Sequence, residues 1–205
     1  ALYSFHRMFK SILDSEKPTH VLVAWDAGKT TFRTEMYADY KGGRSKTPGE
    51  FIEQMPYFNV LLDAWGIPHY RLNQYEADDI IGTLAKQGEA AGYEVVVLSG
   101  DKDLIQLADN NITVKITTKG VTELVEYTPE VIFEKYGLTP EQIIDMKGLM
   151  GDSSDNYPGV TKVGEKTAVK LLQEFGSVEG IYEHVDEMKK SKLKENLIND
   201  KELAF

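Results

Sequence analysis

The sequence has no cysteine, only four histidines, two tryptophans and seven prolines in 205 residues. Without thiols there is no disulfide framework, no zinc ribbon, no iron–sulfur ligand set and no thiol nucleophile. The same lack fits a reducing compartment. His6, His20, His69 and His184 follow no ligand spacing and are read as structural or surface residues, so neither a Ser/His/Asp nor a Cys/His arrangement is supported. Long apolar runs are missing too: Val21–Trp25 and Val95–Leu98 are far short of the roughly 20 residues of a spanning helix. Arg7 and Lys10 interrupt the first apolar segment, so no secretory signal is expected at the start and the expectation is a soluble intracellular protein without membrane contact. There is no basic excess either. Lys and Arg number 23 against 33 Asp and Glu, a net charge of −10, which on its face argues against nucleic acid. What is present is 41% hydrophobic residues, enough for a core and for one domain or one domain with an appendage.

The acidity is local. Eight carboxylates fall in tight clusters at expected element ends, and without them 23 basic residues face 25 acidic ones. Apolar spacing predicts a helix over Leu2–Leu13, a buried strand over His20–Asp26 and a long polar connection from Ala27 to Thr47. A helical pattern follows from Pro48 to Trp65, with Pro56 as a possible kink. Then come a short strand at Pro68–Leu72, a helix at Tyr75–Ala91, a valine-rich strand at Tyr93–Ser99, a short helix at Asp103–Ala108 and a strand at Ile112–Thr117. Beyond Thr128 the strand patterns stop, and helices are expected at Pro129–Tyr136, Pro140–Met150, Glu165–Phe175, Val178–His184 and within Asp186–Lys201. Strands alternating with helices imply an α/β fold, a mostly parallel central sheet flanked by helices, over residues 1–127. A helical part follows over 128–205.

In open α/β sheets, ligands bind beyond the carboxyl ends of the strands. The first strand ends in Asp26, the second leads into Glu76-Ala77-Asp78-Asp79, and the third ends in Gly100-Asp101-Lys102-Asp103. Gly151-Asp152-Ser153-Ser154-Asp155 opens the helical part. Each piece has an ordinary explanation: Glu76, Asp78 and Asp79 as acids complementing a helix dipole, Asp101 as an N-cap, and the 151–156 run as a turn. Jointly the carboxylates would repel one another, and divalent cations remove that repulsion. An all-oxygen set suits Mg²⁺ or Mn²⁺ rather than zinc. Two such ions can stabilise the attacking and leaving oxygens of an in-line phosphoryl displacement.

Two further features suit nucleic acid. The 27–47 connection carries Arg33, Lys41 and Arg44 for phosphate, and Phe32, Tyr37 and Tyr40 for stacking. Its Gly28-Lys29-Thr30 lacks the upstream glycine of a Walker loop. The run Pro158–Ala168 places two glycines around a short turn between helical segments, and Gly164 opens a helix whose N–H groups can bind phosphate beside Lys162, Lys166 and Lys170.

These motifs occur in an order that resembles one family across essentially the whole chain: the 5′-nuclease (5′→3′ exonuclease) domain at the N-terminus of bacterial DNA polymerase I, within the flap endonuclease superfamily. The resemblance implies a PIN-like nuclease core and a helix–hairpin–helix at about 152–175. It implies two metal positions, Asp26, Glu76 and Asp78 at the first and Asp101, Asp103 and Asp155 at the second, with Asp79 and Asp152 in support. Arg33 and Lys41 match residues at the scissile phosphate, with Tyr40 and Arg44 beside them. The hairpin residues Lys162, Gly164, Lys166 and Thr167 match a duplex grip, with a K⁺ held by backbone carbonyls. The expected activity is two-metal hydrolysis of DNA at 5′ flaps, ends or nicks in primer removal and repair, by a monomer attached to a polymerase domain in the cytoplasm at the nucleoid. The family begins with a strand bearing an Asp-Gly-Asn-like motif, whose Asp is a first-site ligand. The present sequence starts inside the following helix, and Phe205 is read as a cut point. Three alternatives therefore stand beside this reading: a non-catalytic flap- or duplex-binding fragment, a Mg²⁺ phosphatase using Asp101 and Asp103, and a PIN-type nuclease toxin.

Overall fold

The computed structural model describes residues 1–118 and 123–205. Helix α1 (Leu2–Glu16) leads to strand β1 (Val23–Ala24), which pairs in parallel with β2 (His69–Tyr70). Between them lie α2 (Phe32–Met36) and α3 (Gly49–Ala64). Helix α4 (Ala77–Ala90) leads into β3 (Val95–Ser99), which pairs in parallel with β4 (Ile112–Thr117); β4 in turn pairs antiparallel with β5 (Leu124–Tyr127). A 3₁₀ turn, Lys102–Leu107, links β3 to β4. Among the described residues the parallel pairing is divided between these two small sheets, and α4 packs against both β1 and β3.

β4 shows why this chain makes strands. Ile112, Val114 and Ile116 are fully buried while Thr113, Lys115 and Thr117 are half-buried, the two-residue period of a pleated strand. The buried face joins a core that continues through α5 (Pro129–Tyr136), α6 (Pro140–Met150), α7 (Glu165–Phe175), α8 (Val178–His184) and the terminal helices α9 (Lys192–Asn199) and α10 (Lys201–Ala204). Ile105, Ile132, Ile143, Leu149, Leu172 and Leu197 are among its fully buried members, so the strands and the helical part share one apolar interior. A second, aromatic cluster fixes the first strand. Phe5 stacks on Phe9 at 5.4 Å and meets Phe58 edge-on at 5.1 Å, and Trp25 meets Phe58 at 5.8 Å. These rings hold α1 and α3 against the end of β1, where Asp26 follows.

Helix boundaries follow local chemistry. Thr128 and Thr139 each accept a hydrogen bond from the third helical N–H, and each is followed by proline at the first helical position. α3 runs unbroken through Pro56. Three parts of the expected layout change. The 27–47 connection contains α2, capped by Thr31, whose Oγ1 accepts from Arg33 N while its own N–H donates to Thr34 Oγ1. Strand β5 was not expected, and its pairing with β4 is what makes it a strand. The segment before the Val160–Gly164 turn is not a helix but a small antiparallel hairpin, β6 (Gly151–Asp152) and β7 (Tyr157–Pro158), so the first helix of any helix–hairpin–helix is α6.

Candidate metal centre

The acid cluster is built from four chain segments. Asp26 follows β1, and its Oδ1 accepts from Ala77 N at 2.7 Å, which ties the end of β1 to the start of α4. Glu76 is the N-cap of α4, and its N–H donates to Asp79 Oδ2 at 2.9 Å. Asp101 caps the 3₁₀ turn, with Oδ1 accepting from Asp103 N at 2.9 Å. Asp152 Oδ1 accepts from Ser154 N at 2.7 Å and from Ser154 Oγ at 2.6 Å. The ordinary roles of cap and turn are thus real, and they are what aim these carboxylates.

The hairpin carrying Asp152 and Asp155 is held by a close backbone crossing. Gly151 has φ +70°, and a Cβ on it would lie 2.3 Å from Gly159 N; a Cβ on Gly159 would lie 2.3 Å from Gly151 N. Only glycine permits both the dihedral and the approach. Val160 N donates to Leu149 O at 2.8 Å and fixes the exit.

The 31–44 segment lies across the cluster and neutralises much of it. Arg33 grips Asp79 with both terminal nitrogens, at 2.8 and 2.7 Å, and reaches Glu76 Oε2 at 3.4 Å. Lys41 Nζ lies 2.6 Å from Glu76 Oε1, and Tyr40 Oη donates to Glu76 Oε2 at 3.2 Å. Arg44 Nη2 lies 2.5 Å from Asp155 Oδ1. Glu76 and Asp155 are only 7% and 8% exposed, so charge pairing is what makes their burial tolerable. Backbone contacts dock the segment as well: Lys41 N donates to Asp155 O at 2.7 Å, and Asn156 Nδ2 donates to Asp39 O at 2.7 Å. Lys41 and Asn156 both take positive φ at this junction.

The charges perturb one another. Burial, then Asp101 and, more weakly, Glu76 and Asp26, push the Asp78 carboxyl up to about 6, against a lowering by Lys41. Asp103 is raised by burial, against the pull of Lys147. Asp79 is lowered by its hydrogen bonds from Arg33. Asp152 is brought down to about 2: burial opposes this, and Lys147 and Ser154 outweigh it. Tyr40 is pushed far up by burial and then by Glu76. Three like charges acting on Asp78 mark a place with excess negative potential, and the hard oxygen donors there match a small divalent cation.

The two expected ligand sets are near one another, with their oxygens engaged by basic side chains and backbone N–H groups. Among the described residues no three acidic or histidine side chains converge tightly enough to hold a metal. Glu76 faces Lys41, Arg33 and Tyr40, Asp155 faces Arg44, and Asp103 faces Lys147. Asp26 and Asp101 accept from backbone N–H groups. Lys147, on α6, was not among the expected site residues. It bridges Asp103 and Asp152, and its only sequence signal is its position one helical turn before the Gly151-Asp152 motif.

The second feature lies apart from this cluster. Lys162, at φ +60°, and Lys166 are exposed, Gly164 is the exposed N-cap of α7, and Thr167 is half-buried in its first turn. Val160 and Val163 anchor the turn in the core. Thr161 is held from both sides, its N–H donating to Asp200 Oδ2 at 2.8 Å and its carbonyl accepting from Asn196 Nδ2 at 2.9 Å.

Comparison with known proteins agrees with this architecture. The chain is 63% identical over 207 residues to DNA polymerase I of Lactococcus lactis, and 62% identical over 205 residues to that of Bacillus subtilis. Both alignments cover all of the chain but about a quarter of those proteins (24% and 23%). The 5′-exonuclease of phage T5, solved with bound divalent zinc ions, superposes with a TM-score of 0.81 at 28% identity, over 99% of this chain and 78% of that one. The catalytic core of Rad2, solved with a DNA substrate, shares the fold at a TM-score of 0.57 and 18% identity. No helix among the described residues is long and apolar enough to cross a membrane. Residues 1–137 match the model of the 5′-3′ exonuclease N-terminal resolvase-like domain and residues 138–205 that of the 5′-3′ exonuclease C-terminal SAM fold, so the chain belongs to the 5′-3′ exonuclease family.

Proposed function

We propose that this chain hydrolyses DNA phosphodiesters at 5′ flaps, ends and nicks, with two Mg²⁺ or Mn²⁺ ions as cofactors. The observation that supports it most is that eight carboxylates from four segments lie within one another's influence at one end of the strands, with the basic 31–44 segment across them. Asp26, Glu76 and Asp78 would hold one ion and Asp101, Asp103 and Asp155 the other. Asp79 and Asp152, already committed to Arg33 and to Ser154 with Lys147, would support them. When bound, such ions lower the pKa of a water nucleophile and neutralise charge on the phosphoryl oxygens. The protein's own part is to orient the phosphate. Arg33 and Lys41 would present positive charge at the scissile phosphate, with Tyr40 and Arg44 beside them. Lys162, Gly164, Lys166 and Thr167 would grip the duplex backbone at the N-terminus of α7, with a K⁺ at the adjoining turn. Residues 1–127 would carry most of the chemistry, and 128–205 would add Asp152 and Asp155 to it and supply the grip.

The longer relatives support a parent chain in which a polymerase domain extends the 3′ end while this part removes the 5′ strand ahead of it, in the cytoplasm at the nucleoid, as a monomer. Family membership sets aside the phosphatase and toxin alternatives. A second reading keeps support from the pairing of Glu76, Asp103 and Asp155 with basic residues: a fragment that binds flap DNA without cutting it. The deciding experiment is cleavage of a 5′-end-labelled flap duplex with Mg²⁺, Mn²⁺ or EDTA, beside Asp101→Ala. Metal-dependent cutting near the junction, lost in the variant, is expected. Salt-sensitive binding without cutting would favour the second reading.

A further inference from the structure

Three of the cations that neutralise the acid cluster, Arg33, Lys41 and Arg44, come from the one segment that would meet DNA. Lys147 does not. It projects from the last turn of α6, and its Nζ lies 2.6 Å from Asp152 Oδ2 and 3.0 Å from Asp103 Oδ1. Those two carboxylates belong to separate elements, the β6–β7 hairpin and the 3₁₀ turn after β3, so a single ammonium links them. The Lys147 side chain is 27% exposed, enclosed by protein and not extended toward solvent.

An ammonium and a hard divalent cation seek the same oxygens. The ion needs carboxylate oxygens at about 2.0–2.2 Å and tolerates no second positive charge in the same place. We propose that Lys147 is a resident counter-cation, which holds Asp103 and Asp152 together in the metal-free chain and surrenders their oxygens when a divalent ion enters. This rests on the metal-centre reading above. Lys147 is then a positioning residue. It acts through two carboxylates and not on the phosphate, and metal entry is the exchange of one cation for another.

The consequence is a change of opposite sign in the two states. Removing the ammonium leaves two like charges facing each other in the metal-free chain, which raises its energy. The same removal takes away the competitor for the ion. The test is isothermal titration of the whole chain with Mn²⁺ alone, together with thermal unfolding in EDTA and in Mn²⁺. The variants are Lys147→Met, Lys147→Gln and Lys147→Arg, with Lys86→Met as a control, since Lys86 pairs with Asp109 outside the cluster. Lys147→Met is expected to bind Mn²⁺ roughly tenfold more tightly, the scale of one nearby unit charge in a half-shielded site. It should also melt lower in EDTA and gain more on adding Mn²⁺. Lys147→Gln should follow it if the methionine variant folds poorly, while Lys147→Arg, which keeps the charge, and Lys86→Met should stay near wild type. Unchanged or weaker Mn²⁺ binding in both neutral variants, with the wild type binding normally, would overturn the role given to Lys147 and leave the metal centre standing. A wild-type chain that binds no Mn²⁺ would overturn the metal centre, and this inference with it.

Discussion

Replacing Gly159 by alanine tests whether the backbone crossing positions the acid cluster. An added Cβ would sit 2.3 Å from Gly151 N, 2.4 Å from Met150 C and 2.5 Å from Leu149 O. All three are backbone atoms at the junction of α6 and β6, and none can turn aside as a side chain could. The two strands must separate, which breaks the Val160 N to Leu149 O hydrogen bond and the pairing of Gly151 with Pro158. Overpacking of this kind costs about 1–3 kcal/mol and a lost hydrogen bond about 1 kcal/mol more, so Gly159→Ala should destabilise by about 2–4 kcal/mol. For a chain of this size that lowers Tm by about 5–15 °C. The comparison is Gly164→Ala, where an added Cβ meets nothing within 4 Å and φ is an ordinary −102°. That variant should lose no more than about 3 °C, since replacing an exposed glycine cap by alanine costs roughly 1 kcal/mol or less. Circular dichroism melting and flap cleavage, measured on both, give the answer. A Gly159→Ala chain that melts and cuts like wild type would refute the claim that the crossing is tight and that it aims Asp152 and Asp155.

Asp78→Asn should raise the Tm of the chain in EDTA above pH 6 and not at pH 4. The folded-state carboxyl at about 6 lies above its unfolded value, so its ionised form is a penalty that appears only as pH rises. With Mn²⁺ present the same substitution should lower the Tm gain, and a melting point indifferent to pH in the comparison would count against the crowding of carboxylates there. Arg33→Ala should reduce flap cleavage by about 10²–10³-fold, the usual scale for losing one charge-stabilising donor, with a much smaller change in duplex affinity. A loss confined to affinity, read by fluorescence anisotropy, would contradict its proposed place at the scissile phosphate. Lys162→Ala and Lys166→Ala should each flatten the dependence of log Kd on log salt by about 1 without altering cleavage at saturating enzyme. An unchanged salt slope would contradict the duplex grip proposed for the hairpin.

How much was readable in the sequence depended on where the signal was local. Pro129–Tyr136, Pro140–Met150 and Glu165–Phe175 came out at the boundaries expected, because the Thr-Pro starts of the first two and the glycine stops of all three are written into adjacent residues. The strand expected over His20–Asp26 forms ladder pairs only at Val23 and Ala24, since pairing depends on a partner that the strand's own residues do not reveal. Helix α2 was hidden because Thr31 and Thr34 cap it without an apolar stripe, and Thr31 is buried at 3% exposure by its place beside Gln74. The acids were legible as a group because strand ends are where ligands bind. Their partners were not: Arg44 meets Asp155 across 111 positions and Lys41 meets Glu76 across 35, and no spacing rule announces either pair. Lys147 was passed over for the same reason, being one lysine on an ordinary helix until the fold sets Asp103 against it.

The most direct test of the metal centre is an anomalous difference map from crystals of this chain soaked in Mn²⁺. Two peaks are predicted among Asp26, Glu76, Asp78, Asp101, Asp103 and Asp155, with Lys41, Arg44 and Lys147 turned away from those oxygens. Flap-cutting protein whose crystals show no peak there, with those basic side chains still on their carboxylates, would contradict the account.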